Sequence, residues 1–174
     1  ITFIIIAIAI GALIGYFIAK KVQMTAMPQL VAGFHSLVGL AAVLIAAGAF
    51  WMPESFNIIE NGHIKLASLI EMGLGVVIGA ITFTGSIVAF LKLNGNMKSN
   101  FTFFKNPKSA AKYVGIISAI LLISFIIFGT KSLFIALTLF SFFIGFILIA
   151  PVGGANMPVV VSMLNSYSGW AASG

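Results

Sequence analysis

Apolar residues fill most of the chain in six long runs, and the polar residues collect in the short stretches between them. The runs are Ile1 to Ala19, Pro28 to Met52, Leu66 to Leu93, Ala110 to Gly129, Ser132 to Ala150, and a sixth beginning near Met157. They do not alternate with the period of two that a half-buried strand requires, and a helix needs about 20 apolar residues to cross a bilayer. The pattern predicts an all-α fold, a polytopic transmembrane helix bundle of about six spans. The third run reaches about 40 Å as a helix, so tilt or projection beyond the lipid is expected. The chain starts at Ile1 inside an apolar run, with no charged leader or cleavage signal, so the first run reads as a span of a longer polypeptide.

Composition supports a membrane setting. The chain is 61% apolar and only 7% charged, against about 25% charged residues in soluble domains. The net charge of +6 comes from lysines set against Glu54, Glu60 and Glu71. In a soluble protein that balance would raise nucleic acid as a partner. Here the lysines sit at the ends of the runs, so topology accounts for them and no nucleic-acid partner is expected. Lys20, Lys21, Lys92, Lys98, Lys105, Lys108 and Lys112 fall on one side, and Lys65 and Lys131 on the other. The positive-inside rule puts the first group on the cytoplasmic or equivalent side. The absence of cysteine decides nothing about compartment.

The fourth and fifth runs are bulky and nearly featureless, and are expected to face lipid. The others are rich in Gly, Ala, Ser and Thr, which let membrane helices approach closely. Two segments repeat. "MPQLVAGFHSLVGLAA" (27–42) recurs as "MPVVVSMLNSYSGWAA" (157–172), with Met, Pro, Val, Ser, Gly and two Ala in common. Proline is tolerated in a helix's first turn, and Asn156 is placed to cap the second copy. His35 and Asn165 occupy the same place in the two copies, each about 10 Å past its proline. The predicted stripes are Ala32, His35, Gly39, Ala42 on the second helix and Ser162, Asn165, Gly169, Ala172 on the sixth. The third helix adds Glu71, Gly75, Gly79, Thr82 and Ser86 on one face. A narrow polar interior follows.

An ionisable residue within a span is costly and marks an ion or proton path by default. Histidine can exchange a proton near physiological pH, whereas asparagine can only hydrogen-bond. A buried histidine can also serve as structural glue between helices, and hydroxyls can bond their own helix at i−4. Glu71 is a candidate outer mouth or a solvated interfacial carboxylate, and His63 an exposed loop residue. Trp51 fits an interfacial belt. No phosphate loop, dinucleotide fingerprint, metal cage or nucleophile–base pair is present, so no metal and no cofactor are expected within this chain.

"KKVQMTAMPQLVAGFHSLVGLAAVL", "GAITFTGSIVAFLKLNG" and "GGANMPVVVSMLNSYSGWAA" together resemble the membrane domain of the proton-translocating NAD(P)+ transhydrogenase beta subunit. The resemblance weakens in the outer loop and the fourth and fifth runs. It implies that residues 1–174 form a transmembrane proton-translocating domain coupling hydride transfer between NAD(H) and NADP(H) to proton movement. The nucleotides would bind elsewhere: NADP(H) on a following domain of the same subunit, NAD(H) on an alpha subunit or fused half. It further implies a dimer of such units in a bacterial inner (plasma) membrane or a mitochondrial inner membrane. Carried over by motif, His35 matches the membrane histidine of proton translocation, Asn165 the path asparagine and Ser86 a path hydroxyl, with Thr82 beside it. Asn156, where many relatives carry Asp, falls at the inner mouth, and Gln29 stands where some carry Glu. The alternatives are a small ion-coupled transporter with a midplane site between repeated helices, and a structural membrane anchor.

Overall fold

A computed structural model describes residues 1–98 and 107–173, and side chains within 1–98 and 109–169. Lys105 and the side chains of Lys108, Trp170 and Ala172 therefore lie outside the described residues. Six α-helices form: α1 (Thr2–Lys21), α2 (Met27–Trp51), α3 (Leu66–Leu93), α4 (Pro107–Phe128), α5 (Lys131–Ile149) and α6 (Met157–Ser173). Five are long and apolar enough to cross a membrane; α6, at 17 residues, is shorter. Each copy of the repeat opens in the same way. A 3₁₀ turn, Met24–Ala26 or Gly154–Asn156, runs straight into a helix that begins Met-Pro.

The loop between α2 and α3 adds a small feature that the run pattern does not foresee. Ile59–Glu60 (β1) and His63–Ile64 (β2) pair as a tight antiparallel hairpin. Asn61 and Gly62 make its turn at φ 52° and 79°, the left-handed geometry that Asn-Gly supplies at low cost. The molecule thus has a hairpin end and a lysine-rich end.

α3 is the central helix and packs against α2, α4, α5 and α6. Its closest neighbour is α2, and glycines make the approach possible. A Cβ at Gly39 would lie 2.6 Å from Phe83 N and 2.7 Å from Gly79 O, and one at Gly79 would lie 2.8 Å from Gly39 O. Two apolar clusters flank this crossing. Toward the hairpin end, Val43, Ala46, Phe50, Met72, Val76, Phe125, Phe134 and Leu137 pack together. Phe50 and Phe134 stack there at 4.8 Å between ring centres. Toward the lysine-rich end, Ala32, Val88, Ala89, Ile149, Met157, Val161 and Leu164 form the second cluster.

Three helix faces differ from the sequence expectation. α5 is no lipid-facing bystander: Phe134, Leu137, Ser141, Ile144 and Ile147 are buried, and Gly145 lies so near α3 that a Cβ would come within 2.6 Å of Ile81 O. α1, despite its small residues, buries none of its side chains. α6 turns a different stripe inward. Met157, Val161 and Leu164 are buried, while Ser162, Asn165 and Gly169 are exposed. Inside a bilayer both faces of a helix are apolar, so polarity alone does not mark the packed one.

Candidate functional site

The gap between the two apolar clusters holds a buried histidine and two buried hydroxyls, His35, Thr82 and Ser86. On α2 the order is Ala32, His35, Gly39, Val43; on α3 it is Val76, Ala80, Thr82, Ser86, Val88. His35, Thr82 and Ser86 thus fall between the clusters. His35 is only 5% exposed. It is enclosed because the Gly39–Gly79 contact, one turn away, draws α2 onto α3.

The imidazole has one near polar neighbour on α6. Its Nε2 lies 3.4 Å from Ser168 Oγ. The Ser168 hydroxyl donates to Asn165 O at 3.0 Å. While that proton is engaged, Ser168 can only accept from an Nε2–H; turned toward the ring, it can donate to an unprotonated Nε2, so the direction of this bond follows the tautomer. Ser168 is thus the α6 hydroxyl within hydrogen-bond reach of the imidazole.

Thr82 and Ser86 are distinctive among the helix hydroxyls. Thr84, Thr138 and Ser141 each bond the carbonyl four residues earlier, at 3.0, 2.7 and 2.7 Å. Among the described residues, Thr82 Oγ1 and Ser86 Oγ are buried and bond nothing. A buried hydroxyl without a partner costs about 1–3 kcal/mol, so its retention calls for a role. Both can donate and accept.

A cavity of about 480 Å³ lies along α2 and α3, between the hairpin and Ser168 of α6. Phe56, Ile58, Ser68 and Glu71 line it near the hairpin, and Gly39, Gly79 and Ser168 nearer His35. His35 does not line it, whereas its partner Ser168 does. Ser168 is thus the hydroxyl between the cavity and the imidazole.

The candidates named from sequence separate into two sets. His35, Thr82 and Ser86 are buried in one belt, and Glu71 is exposed in the part of the cavity near the hairpin. Asn165 contributes its backbone carbonyl to Ser168, while its side chain lies on the exposed side of α6; Asn156 is exposed in the 3₁₀ turn before α6. Ser168 was missed because the assumed stripe on α6 was turned by one position; its spacing of four from Leu164 and seven from Val161 was the available signal. Lys92, counted among the loop charges, is buried within α3 and bonded to backbone carbonyls. Among the described residues no three His, Cys, Asp or Glu side chains gather as a metal would require.

Long apolar helices around a buried histidine and unpaired hydroxyls define a multi-pass membrane protein with a polar interior belt. The whole chain, residues 1–174, matches the family NAD(P) transhydrogenase beta subunit. Two curated sequences, both NAD(P) transhydrogenase subunit beta from Rhodospirillum rubrum, are 52% identical over 171 residues, 98% of this chain and 37% of theirs. The chain belongs to the NAD(P) transhydrogenase beta-subunit family, a family of enzyme subunits, and is its membrane-helical part. It spans about 37% of the length of these relatives.

Proposed function

We propose that this chain is the proton-conducting membrane domain of a transhydrogenase, coupling proton movement to hydride transfer between NAD(H) and NADP(H). The observation that carries the reading is the buried His35 with Nε2 3.4 Å from Ser168, the hydroxyl that faces the cavity. Protons from the hairpin side pass Glu71, enter the cavity and reach Ser168. With the His35 ring as its Nδ1–H tautomer, the hydroxyl hands a proton to the unprotonated Nε2 and takes up another from the cavity side. From the charged imidazole the proton leaves toward Thr82 and Ser86, whose free donors and acceptors suit a short water chain. Asn165 holds Ser168 through its carbonyl, and its exposed amide faces whatever packs on α6. Asn156 stands at the lysine-rich end, where the proton emerges.

The hairpin end is then the outer side and the lysine-rich end the inner side, in a bacterial plasma membrane or a mitochondrial inner membrane. The nucleotides bind outside these residues: NADP(H) on a further domain of the same subunit, NAD(H) on an alpha subunit or its fused counterpart, in a dimer of such units. A proton crossing the membrane potential supplies about 2.3 kcal/mol per 100 mV. That exceeds the roughly 1.4 kcal/mol of a tenfold shift in the hydride equilibrium. By linkage, the redox state of NADP(H) must in turn alter proton affinity at the histidine.

The test is His35→Ala in the complete enzyme, with proton uptake into vesicles measured alongside hydride transfer. Proton uptake is expected to vanish. Uptake that stays coupled to hydride transfer would sink the proposal.

A further inference from the structure

One lysine of this chain does not behave as a membrane-end lysine should. Near the end of a span, the long side chain normally carries its ammonium outward to the headgroups. Lys92, the next-to-last residue of α3, is only 6% exposed. Its Nζ donates to Ala150 O and, at 2.6 Å, to Val152 O. Ala150 is the C-cap of α5, and Val152 lies in the turn that leads through Gly154–Asn156 into α6. The last carbonyls of a helix lack partners in their own helix, and its C-terminus favours a cation. The ammonium meets both needs from a neighbouring helix.

The same turn of α3 also holds α2. Gln29 Nε2 in the first turn of α2 donates to Leu93 O at 3.0 Å. The end of α3 therefore fastens the starts of both repeat helices, α2 directly and α6 through the Ala150–Gly153 corner. Met157, the first residue of α6, is fully buried beside it in the second apolar cluster. His35 and Ser168 lie on these two helices and meet between them. The segment that follows α3, Asn94 to Lys98 among the described residues, leaves from the fastened turn.

We propose that Lys92 is a positioning residue for coupling: its ammonium locks the α5–α6 corner to α3. A shift of α6 against α2 at the His35–Ser168 contact is thereby passed to the segment after α3. This rests on the proton-path reading. A hydrocarbon side chain of the same length fills the space but leaves the two carbonyls unpaired and the corner free. A guanidinium keeps both the charge and the donors.

The test uses the complete enzyme in vesicles with Lys92→Met, Lys92→Arg and, separately, His35→Ala. Two rates are compared. One is proton-driven hydride transfer from NADH to NADP+. The other is hydride exchange between NADH and an oxidised NAD analogue through bound NADP(H), a cycle with no net NADP reduction. Lys92→Met is expected to lower the proton-driven rate about tenfold, a typical coupling between sites, while exchange and assembled protein stay within about twofold. Lys92→Arg is expected to recover most of the proton-driven rate. An unchanged proton-driven rate, a proportional loss of both rates, or equal loss in the Met and Arg variants overturns the proposal. If Lys92→Met does not assemble, Lys92→Gln is measured in the same way; failure of both to assemble assigns the lysine to folding and also overturns it. His35→Ala separates the two ideas. Coupling lost there but intact in Lys92→Met removes the role of Lys92 alone, whereas coupling intact in His35→Ala removes the proton path as well.

Discussion

At the scale of single residues, Thr82 and Ser86 differ from Thr138 and Ser141 in what their hydroxyls bond. The second pair closes onto the carbonyls of Phe134 and Leu137, and the first pair bonds nothing. Removing an unpaired buried hydroxyl relieves a desolvation cost, so Ser86→Ala and Thr82→Val are expected to change stability by less than about 1 kcal/mol, or to raise it. The proton-driven rate is expected to fall in both. Thermal denaturation of the detergent-solubilised enzyme, read beside proton uptake, checks both halves; a lowered melting temperature with intact uptake would return these hydroxyls to a packing role. The sequence could nominate these residues by their spacing on one helix face. It could not separate them from Thr84, because bonding at i−4 depends on the side-chain rotamer, which the neighbouring helices select. His35 was legible for a different reason: an ionisable ring in an apolar span stands out wherever it points. Lys92 was misread because a lysine near the end of a run looks like a loop charge until its partners are known.

At the scale of elements, the α2–α3 contact holds the belt together. Gly39 and Gly79 face each other with backbone atoms where a Cβ would be. Relief cannot come from a flexible side chain, so the helices themselves must separate. Gly39→Leu is expected to destabilise the bundle by at least about 1–3 kcal/mol, the usual cost of overpacking. It should also widen the gap around His35. Assembly yield and melting temperature report the first effect; a Gly39→Leu variant as stable as the parent would show that the crossing is looser than described. Gly75, which shares the Gly-x-x-x-Gly spacing with Gly79, meets nothing within 4 Å. Spacing alone therefore did not reveal which glycine of the pair makes the contact. The same limit explains the inward stripe of α6 and the buried face of α5. Membrane helices are apolar on every side, and the face that packs is chosen by fit.

At the scale of the molecule, the proposed orientation of the bundle rests on the lysine distribution. The chain has no cysteine, so single cysteines can report sidedness within it once any in the rest of the enzyme are replaced. Glu54→Cys, exposed in the hairpin-end loop, is expected to react with a membrane-impermeant thiol reagent from outside. Lys98→Cys, exposed after α3, is expected to react only from inside. The reverse pattern would invert the bundle and reassign Glu71 to the inner mouth. The two ends also differ in construction. The hairpin end is packed by the aromatic contacts of Phe50, Phe125 and Phe134. The lysine-rich end is tied by polar bonds from Gln29 and Lys92 to backbone carbonyls.

By itself the sequence determined the helices, their number and approximate limits, and the repeat that starts α2 and α6. It also determined that a histidine lies inside the bundle. These follow from local composition and spacing: run length, proline in a first turn, and the rarity of ionisable groups in lipid. Tertiary structure alone decided which faces meet. It set Ser168 against His35, left Thr82 and Ser86 without partners, brought α5 into the core and turned Lys92 inward. Each of these depends on how closely two particular backbones can approach, and in a uniformly apolar helix no single residue encodes that distance.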